Sequence, residues 1–358
     1  MKFIASALPR FSEKLLSGVL SCLLLVSCVT KSSESESMDA SAQIKTVRVF
    51  SSARIDVDNR DVFKTVAFPP LTEDFSQIEL ELTLGCPDNL CDWWDRPGAI
   101  SIVTDDQHPQ KEIEILRFMT PYRVGGTWSI DVTHLRPILK DSVKFKVHIT
   151  TGVKEGHENG NGWLVSVKTK MKRGTPESRP IAVVPMIPSQ FVEYGNPLAG
   201  SSIHRIVGVP PGVAFSKARA FTTITGHGQG NRFNCAEFCD RKHYISIGNQ
   251  TAETRIARFD CKNNPINNQY GNWEGDREGG WCPGDIVKPW TVDIQDGLIG
   301  AGGAFQFKYF PEPYHNTCRP GVGNCTGCAQ KENPTCEFNG GTHTLPRWWV
   351  SSYLVLYE

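Results

Sequence analysis

Three stretches of this chain hold residues that could do chemistry. The first is Cys86-Pro87-Asp88-Asn89-Leu90-Cys91-Asp92-Trp93-Trp94-Asp95-Arg96, in which a close cysteine pair leads into Trp-Trp-Asp-Arg. A bonded pair would fix a loop that is otherwise mobile. Tryptophan faces beside a carboxylate suit sugar binding, with ring surface for stacking and polar oxygens for hydroxyls. The same residues would equally serve a rigid turn, with Asp95 paired to Arg96 or capping an amide. The second is Asn234-Cys235-Ala236-Glu237-Phe238-Cys239, with Arg241 and His243 beyond. A glutamate held between two bonded cysteines has a fixed direction, which a site needs and a surface loop can also have. The third runs from Asn263-Asn264-Pro265-Ile266-Asn267-Asn268-Gln269 through Gly271-Asn272-Trp273 to Asp276-Arg277-Glu278-Gly279-Gly280-Trp281-Cys282. It is a long loop rich in Asn, Trp and Arg, and long loops on β scaffolds commonly carry function.

Strands must position these loops. Ile78, Leu80, Leu82 and Leu84 alternate with Glu79, Glu81 and Thr83; Val143, Phe145, Val147 and Ile149 alternate with Lys144, Lys146, His148 and Thr150; Phe305, Phe307 and Tyr309 alternate with Gln306 and Lys308. Period-2 alternation sends one face to a core and the other to solvent or a second layer. Many such runs, divided by Gly, Pro and Asn turns and without long helical periods, predict an all-β protein of sandwiches or jelly rolls. The charged segment Lys172 to Pro180, with two prolines, marks a boundary between a domain at 44–172 and one at 180–358. There are 38 basic and 38 acidic residues and no basic run, which argues against a nucleic-acid partner.

The start of the chain reads as a targeting signal. Lys2, Arg10 and Lys14 precede an apolar stretch, Leu15 to Val26, that is short for a membrane span. It ends in Leu25-Val26-Ser27-Cys28, similar to the lipobox of bacterial lipoproteins, with Cys28 the residue acylated after cleavage of the 1–28 leader. The Ser-rich stretch that follows, residues 29–43, cannot bury enough apolar surface to fold and would be a tether. Val29 stands where an aspartate would signal inner-membrane retention, so the expected location is the outer membrane or cell surface.

Twelve cysteines less Cys22 and Cys28 leave ten: Cys86, Cys91, Cys235, Cys239, Cys261, Cys282, Cys318, Cys325, Cys328 and Cys336. An even number in an exported chain predicts five disulfides. Cys86 with Cys91 and Cys235 with Cys239 are close pairs, and Cys261 with Cys282 brackets one loop. Cys318, Cys325, Cys328 and Cys336 crowd into one segment, where two disulfides in any of three connectivities are expected; the rival is a zinc site.

These motifs, in this order, resemble the peptide-N-glycosidase F family of bacterial amidases, built from two jelly rolls packed side by side. The resemblance spans nearly the whole mature chain. It includes Arg117-Phe118-Met119-Thr120-Pro121-Tyr122, Ile130-Asp131-Val132-Thr133, Gly174-Thr175-Pro176, Ala182-Val183-Val184-Pro185 and Thr222-Thr223-Ile224-Thr225-Gly226. It implies two tandem antiparallel β-sandwiches and hydrolysis of the amide between asparagine and an N-linked glycan, without cofactor or metal. Asp95 falls on the family's principal catalytic aspartate, and Glu237 on a glutamate of the same cleft. Arg277 falls on a cleft arginine, and Arg96 adjoins Asp95. Trp94 and Trp281 offer further substrate-binding faces. The pairs Cys86–Cys91, Cys235–Cys239 and Cys261–Cys282 fall on family disulfides.

The departures are specific. A third family acid is replaced by Thr150, and a tryptophan two residues on by Gly152. His227 and Phe238 replace two cleft tryptophans, and the segment 318–336 is an addition. Glu155 or Glu158 could reach back to supply the missing acid. The expected partner is an N-glycosylated protein or glycopeptide, with the membrane engaged through lipid at Cys28. The rival reading is an inactive glycan-binding protein on the same scaffold. A copper hydroxylase on twin jelly rolls is disfavoured, because the nine histidines are scattered and the methionines number five.

Overall fold

The alternating sequences become strands that bury one edge of the alternation. A computed structural model describes residues 43–358 except 106, 108–110, 197–198, 231–234, 301–302 and 317–344. The leader with Cys28 and the tether up to residue 42 lie outside the described residues. So do Cys318, Cys325, Cys328 and Cys336. Of the five disulfides expected from the cysteine count, three are found among the described residues: Cys86–Cys91, Cys235–Cys239 and Cys261–Cys282. The two expected among Cys318, Cys325, Cys328 and Cys336 are not among them. No helix among the described residues is long and apolar enough to cross a membrane.

The first sandwich has two antiparallel sheets. One is ordered β1 (Ile44–Ile55), β8 (Trp163–Arg173), β3 (Phe75–Gly85), β6 (Gly126–Asp131). The other runs β14 (Ile286–Val287), β5 (Glu112–Met119), β4 (Pro97–Val103), β7 (Asp141–Ile149), β2 (Asp61–Phe68). In β3, Ile78, Leu80, Leu82 and Leu84 are buried while Glu79, Glu81 and Thr83 are half-buried on the outer face. In β7, Val143, Phe145, Val147 and Ile149 turn inward against them.

The second sandwich pairs β10 (Ile203–Gly208), β16 (Ala304–Pro311), β12 (Lys242–Ile247) and β13 (Gln250–Arg255) with β15 (Trp290–Ile294), β11 (Lys217–His227), β17 (Arg347–Tyr357) and β9 (Pro180–Glu193). Phe305, Phe307 and Tyr309 face its core.

Some strands break the alternation. Every residue of β5 is buried, and in β17 all but Arg347. A strand covered on both faces has no solvent side, so its sequence need not alternate. The cover is the other sandwich: the β4–β5–β7 sheet lies against the β9–β17–β11 sheet. The apolar core of the first sandwich continues into Phe221, Tyr353, Val355 and Tyr357 of the second. Strand β14 crosses over, pairing Ile286 with Phe118 and Val287 with Arg117. The polar centre of this interface is Arg117. Its side chain is fully buried and reaches Glu114 Oε2 at 2.7 Å, Thr225 Oγ1 at 3.0 Å and the Trp349 carbonyl at 2.5 Å. The guanidinium also lies over the Trp349 ring, 4.1 Å from its centroid.

Candidate active site

Asp95 lies in the loop between β3 and β4, at the end of the first sandwich beside the second. The loop is fixed from both sides. The Cys86–Cys91 disulfide closes its first turn. Asp92 is completely buried. Its carboxylate accepts from Arg96 Nε at 2.8 Å, Thr151 Oγ1 at 2.6 Å and the Trp94 amide at 3.1 Å. Thr120 straddles the next turn: its hydroxyl accepts from the Arg96 amide at 2.8 Å and donates to the Trp94 carbonyl at 3.1 Å. The backbone carrying Asp95 therefore has little freedom left, as preorganisation of a side chain requires. Asp92, Thr120 and Thr151 were not singled out from sequence as positioning residues. A second aspartate three residues before Asp95 was the available signal.

Asp95 Oδ2 accepts the Tyr122 hydroxyl at 2.8 Å. Burial pushes the Asp95 carboxyl up to about 6, against the opposing pull of the Tyr122 bond and the Arg277 charge. Tyr122 is held in turn by the long loop. Its amide donates to Gln269 Oε1 at 3.1 Å, and Gln269 Nε2 donates to the carbonyls of Ile266 and Pro283. The Asn-Pro-Ile-Asn-Asn-Gln run is thus a brace between the sandwiches, and the Cys261–Cys282 disulfide closes it.

Glu237 comes from the second sandwich, on the loop after β11. The Cys235–Cys239 disulfide encloses it. The Gly228 amide donates to Glu237 Oε2 at 3.2 Å, and the Glu237 amide donates to the Gly228 carbonyl at 3.1 Å. This loop lies so close on β11 that a Cβ at Gly226 would sit 2.1 Å from the Ala236 carbonyl oxygen, so only glycine fits there. Burial first, and then the charge of Asp95, push the Glu237 carboxyl up to about 7; the Gly228 amide and Arg277 pull the other way. The two carboxylates interact although they come from different sandwiches.

Arg277, from the long loop, is buried. Its guanidinium donates to the carbonyls of Asn272, Gly275 and Asp276, which fixes its position. Its charge reaches Asp95, Glu237 and Tyr122. Trp281 is buried nearby, with its indole N–H on the Gly226 carbonyl at 2.9 Å. His227 lies parallel to it at 6.1 Å, with Nε2 2.8 Å from Thr225 Oγ1. Burial and the Arg117 charge lower His227 to about 3, so it is neutral at physiological pH and acts as a flat ring. Trp94 is half exposed at 52%. Phe238 is half-buried beside Glu237.

The Thr150 position offers no acid. Its amide and hydroxyl both donate to the Pro97 carbonyl, at 3.0 and 3.2 Å. Gly152 leaves its space open; a Cβ there would lie 3.6 Å from Arg96 Nη2. Glu155 and Glu158 are exposed. Glu155 turns to Arg54 Nη1 at 3.4 Å instead of reaching back. Among the described residues, no three His, Cys, Asp or Glu side chains are grouped to hold a metal. The alternative of zinc at Cys318, Cys325, Cys328 and Cys336 falls outside those residues.

Fold and site together define a twin β-sandwich protein with a pair of half-buried carboxylates, one from each sandwich. The family profile described as "Peptide-N-glycosidase F, C terminal" matches residues 212–355. The peptide-N(4)-(N-acetyl-beta-D-glucosaminyl)asparagine amidase F of Elizabethkingia miricola is 30% identical over 332 residues, covering 83% of this chain and 88% of the relative. The solved structure of PNGase F, a glycosylasparaginase from Flavobacterium meningosepticum, superposes with a TM-score of 0.69 at 26% identity, covering 88% of this chain and 96% of that one. A structure of PNGF-II shares the fold at 16% identity, with a TM-score of 0.64 over 88% of this chain and 65% of its own. The chain belongs to the peptide-N-glycosidase F family of deglycosylating amidases.

Proposed function

We propose that this protein hydrolyses the amide linking asparagine to the first sugar of an N-linked glycan, with Asp95 and Glu237 as its catalytic pair. The observation that carries this reading is the convergence of two carboxylates from different sandwiches, both raised by burial and both within reach of the Arg277 charge. Paired groups with separated pKa values are suited to divide base and acid roles. Burial raises both, and the Asp95 charge raises Glu237 besides, which makes Asp95 the one to ionise first in this proposal.

Asp95 then acts as general base. Oδ2 is taken by the Tyr122 hydroxyl, which leaves Oδ1 for the attacking water. Water adds to the amide carbonyl, and its proton passes to Asp95. Glu237, still protonated, gives its proton to the amide nitrogen as the carbon–nitrogen bond breaks. The products are an aspartate side chain and a glycosylamine. Arg277, with N–H groups committed to three carbonyls, acts through its charge and holds the two carboxylates in place. Arg96, Trp94, Trp281, Phe238 and His227 supply binding surface, and Thr150 with Gly152 leaves an open floor beside Arg96.

The second reading, a glycan-binding protein without catalysis, is favoured by one observation: the absence of an acid at Thr150, which neither Glu155 nor Glu158 replaces. The two are separated by incubating residues after Cys28, produced in an oxidising compartment, with an N-glycosylated peptide. Mass spectrometry then follows release of glycan with conversion of Asn to Asp. Conversion by the wild type and none by Asp95→Ala is the expected result. Glycan binding without conversion across several glycan types would establish the binder. We further propose a lipid anchor at Cys28, a tether to residue 43 and domains at 44–172 and 180–358. Three disulfides among the described residues accord with an exported chain. In such a compartment Cys318, Cys325, Cys328 and Cys336 form two more. Peptide mapping of unreduced protein should find these four cysteines joined among themselves; free thiols there would refute the pairing.

A further inference from the structure

Next to Tyr122 stands an arginine that the mechanism does not use. Arg123 has φ +62°, a left-handed conformation that non-glycine residues rarely adopt. Its amide donates to the Asp92 carbonyl at 3.2 Å, which ties this backbone to the Asp95 loop. The guanidinium carbon lies 3.7 Å from the centroid of the Trp93 ring and 5.7 Å from that of Tyr270. Trp93 is itself pinned by its amide on the Asn159 carbonyl at 3.0 Å.

No hydrogen bond or ion pair reaches this guanidinium among the described residues, although the residue is exposed. That sets it apart from Arg96, Arg117 and Arg277, each of which donates hydrogen bonds to protein acceptors. Stacking occupies the flat faces of a guanidinium and leaves its edge donors open. A stacked guanidinium is also already ordered, so less freedom is lost when it binds. Local backbone strain of this kind persists where the surroundings enforce it, and it collects at ligand clamps. The neighbouring exposed rings, Trp94 and Tyr270 (61% exposed), extend the same rim.

We propose that Arg123, stacked on Trp93, is a carboxylate-recognition site on the rim of the cleft. It confers a preference for substrates that carry a carboxylate near the amide to be cut. A carboxylate can meet the guanidinium edge with two parallel hydrogen bonds, which no neutral group matches. Asp95 is two residues from Trp93, and Tyr122 adjoins Arg123, so the recognised group lies close to the reacting linkage. It belongs to an acidic side chain of the peptide or to an acidic sugar of the glycan. The proposal rests on the amidase reading for its effect on turnover, but not for its effect on binding.

The test compares two pairs of glycopeptides. In one, the residue flanking the glycosylated Asn is Glu or Gln, with a neutral glycan. In the other, the peptide is neutral and the glycan ends in an acidic or a neutral sugar. The wild type should favour the carboxylate member of one pair by about fivefold to tenfold in KM, with kcat alike. In Arg123→Gln that ratio should fall to about one, and in Arg123→Lys it should be intermediate. The pair that shows the preference identifies the source. Because each ratio is taken within one variant, a general loss of folded protein cancels. Calorimetric binding of the same four glycopeptides gives the same ratios if no turnover occurs, so failure of the amidase and failure of this site are distinguishable. A wild type without preference in either pair, or a ratio unchanged in Arg123→Gln, overturns the proposal.

Discussion

At the scale of single residues, the two carboxylates have different surroundings. Asp95 is raised by burial and restrained by a tyrosine hydroxyl, and Glu237 is raised by burial first and then by the charge of Asp95. Catalysis in the proposed roles requires Asp95 ionised and Glu237 protonated. Below about 6 the base is lost, and above about 7 the acid is lost. The rate should therefore follow a narrow bell with its maximum between those values, and the two limbs belong to the pair rather than to either residue alone. Glu237→Gln should remove the alkaline limb and lower kcat by about a hundredfold or more, the usual contribution of a positioned acid. Steady-state rates between about pH 5 and 9 for both proteins check this. An unchanged alkaline limb in Glu237→Gln would reassign the acid.

At the scale of elements, the site consists of two loops that the strands alone do not hold. The Asp95 loop is gathered around the buried Asp92 and the Thr120 hydroxyl. The Glu237 loop is closed by a disulfide across four residues and pressed onto Gly226. So small a ring constrains the unfolded chain modestly, by about 2 kcal/mol on the chain-entropy account. Its larger effect is on direction, since Glu237 lies inside the ring. The double variant Cys235→Ser, Cys239→Ser should lose about 2 kcal/mol of unfolding free energy. It should lose more than about tenfold in kcat, because misplacement of a catalytic group by about an ångström is costly. Urea unfolding and kinetics on the same preparation separate the two effects.

At the scale of the whole molecule, the contact between the sandwiches makes the site possible, and Arg117 is its polar centre. The guanidinium and Glu114 are both buried, and they draw Thr225, Ser189, Ser351 and Trp349 of the second sandwich into one network. A buried pair of this kind adds little net stability, but losing one partner strands the other charge. Arg117→Met should cost about 3–5 kcal/mol. The added change Glu114→Gln should recover part of that, because it removes the stranded charge. The midpoint of urea unfolding measures both. Arg117 also donates to Thr225, whose hydroxyl lies 2.8 Å from His227 Nε2, so the damage should extend to the cleft.

Strands and fold class were legible in the residue pattern, and the catalytic candidates in the family motifs. Alternation in residues 78–84, 143–149 and 305–309 marks a buried face because side chains alternate across a strand, which is a local property. The cysteine spacings around Cys86, Cys235 and Cys261 carried three disulfides for a similarly local reason. Spacing gives no such answer for Cys318, Cys325, Cys328 and Cys336, because four cysteines in one short segment allow three pairings. Family motifs brought Asp95, Glu237 and Arg277 to notice. The resemblance implied that these three share a cleft; the folded chain brings the charges of Asp95, Glu237 and Arg277 to bear on one another although the two carboxylates belong to different sandwiches. Only the tertiary structure decided that β5 and β17 are buried on both faces and that Asp92 and Gln269 brace the site. The same holds for Glu155, which turns away to Arg54, and for the guanidinium of Arg123, which lies on Trp93. Each of these depends on packing between segments far apart in the chain, where burial and charge come from neighbours that a linear sequence does not name.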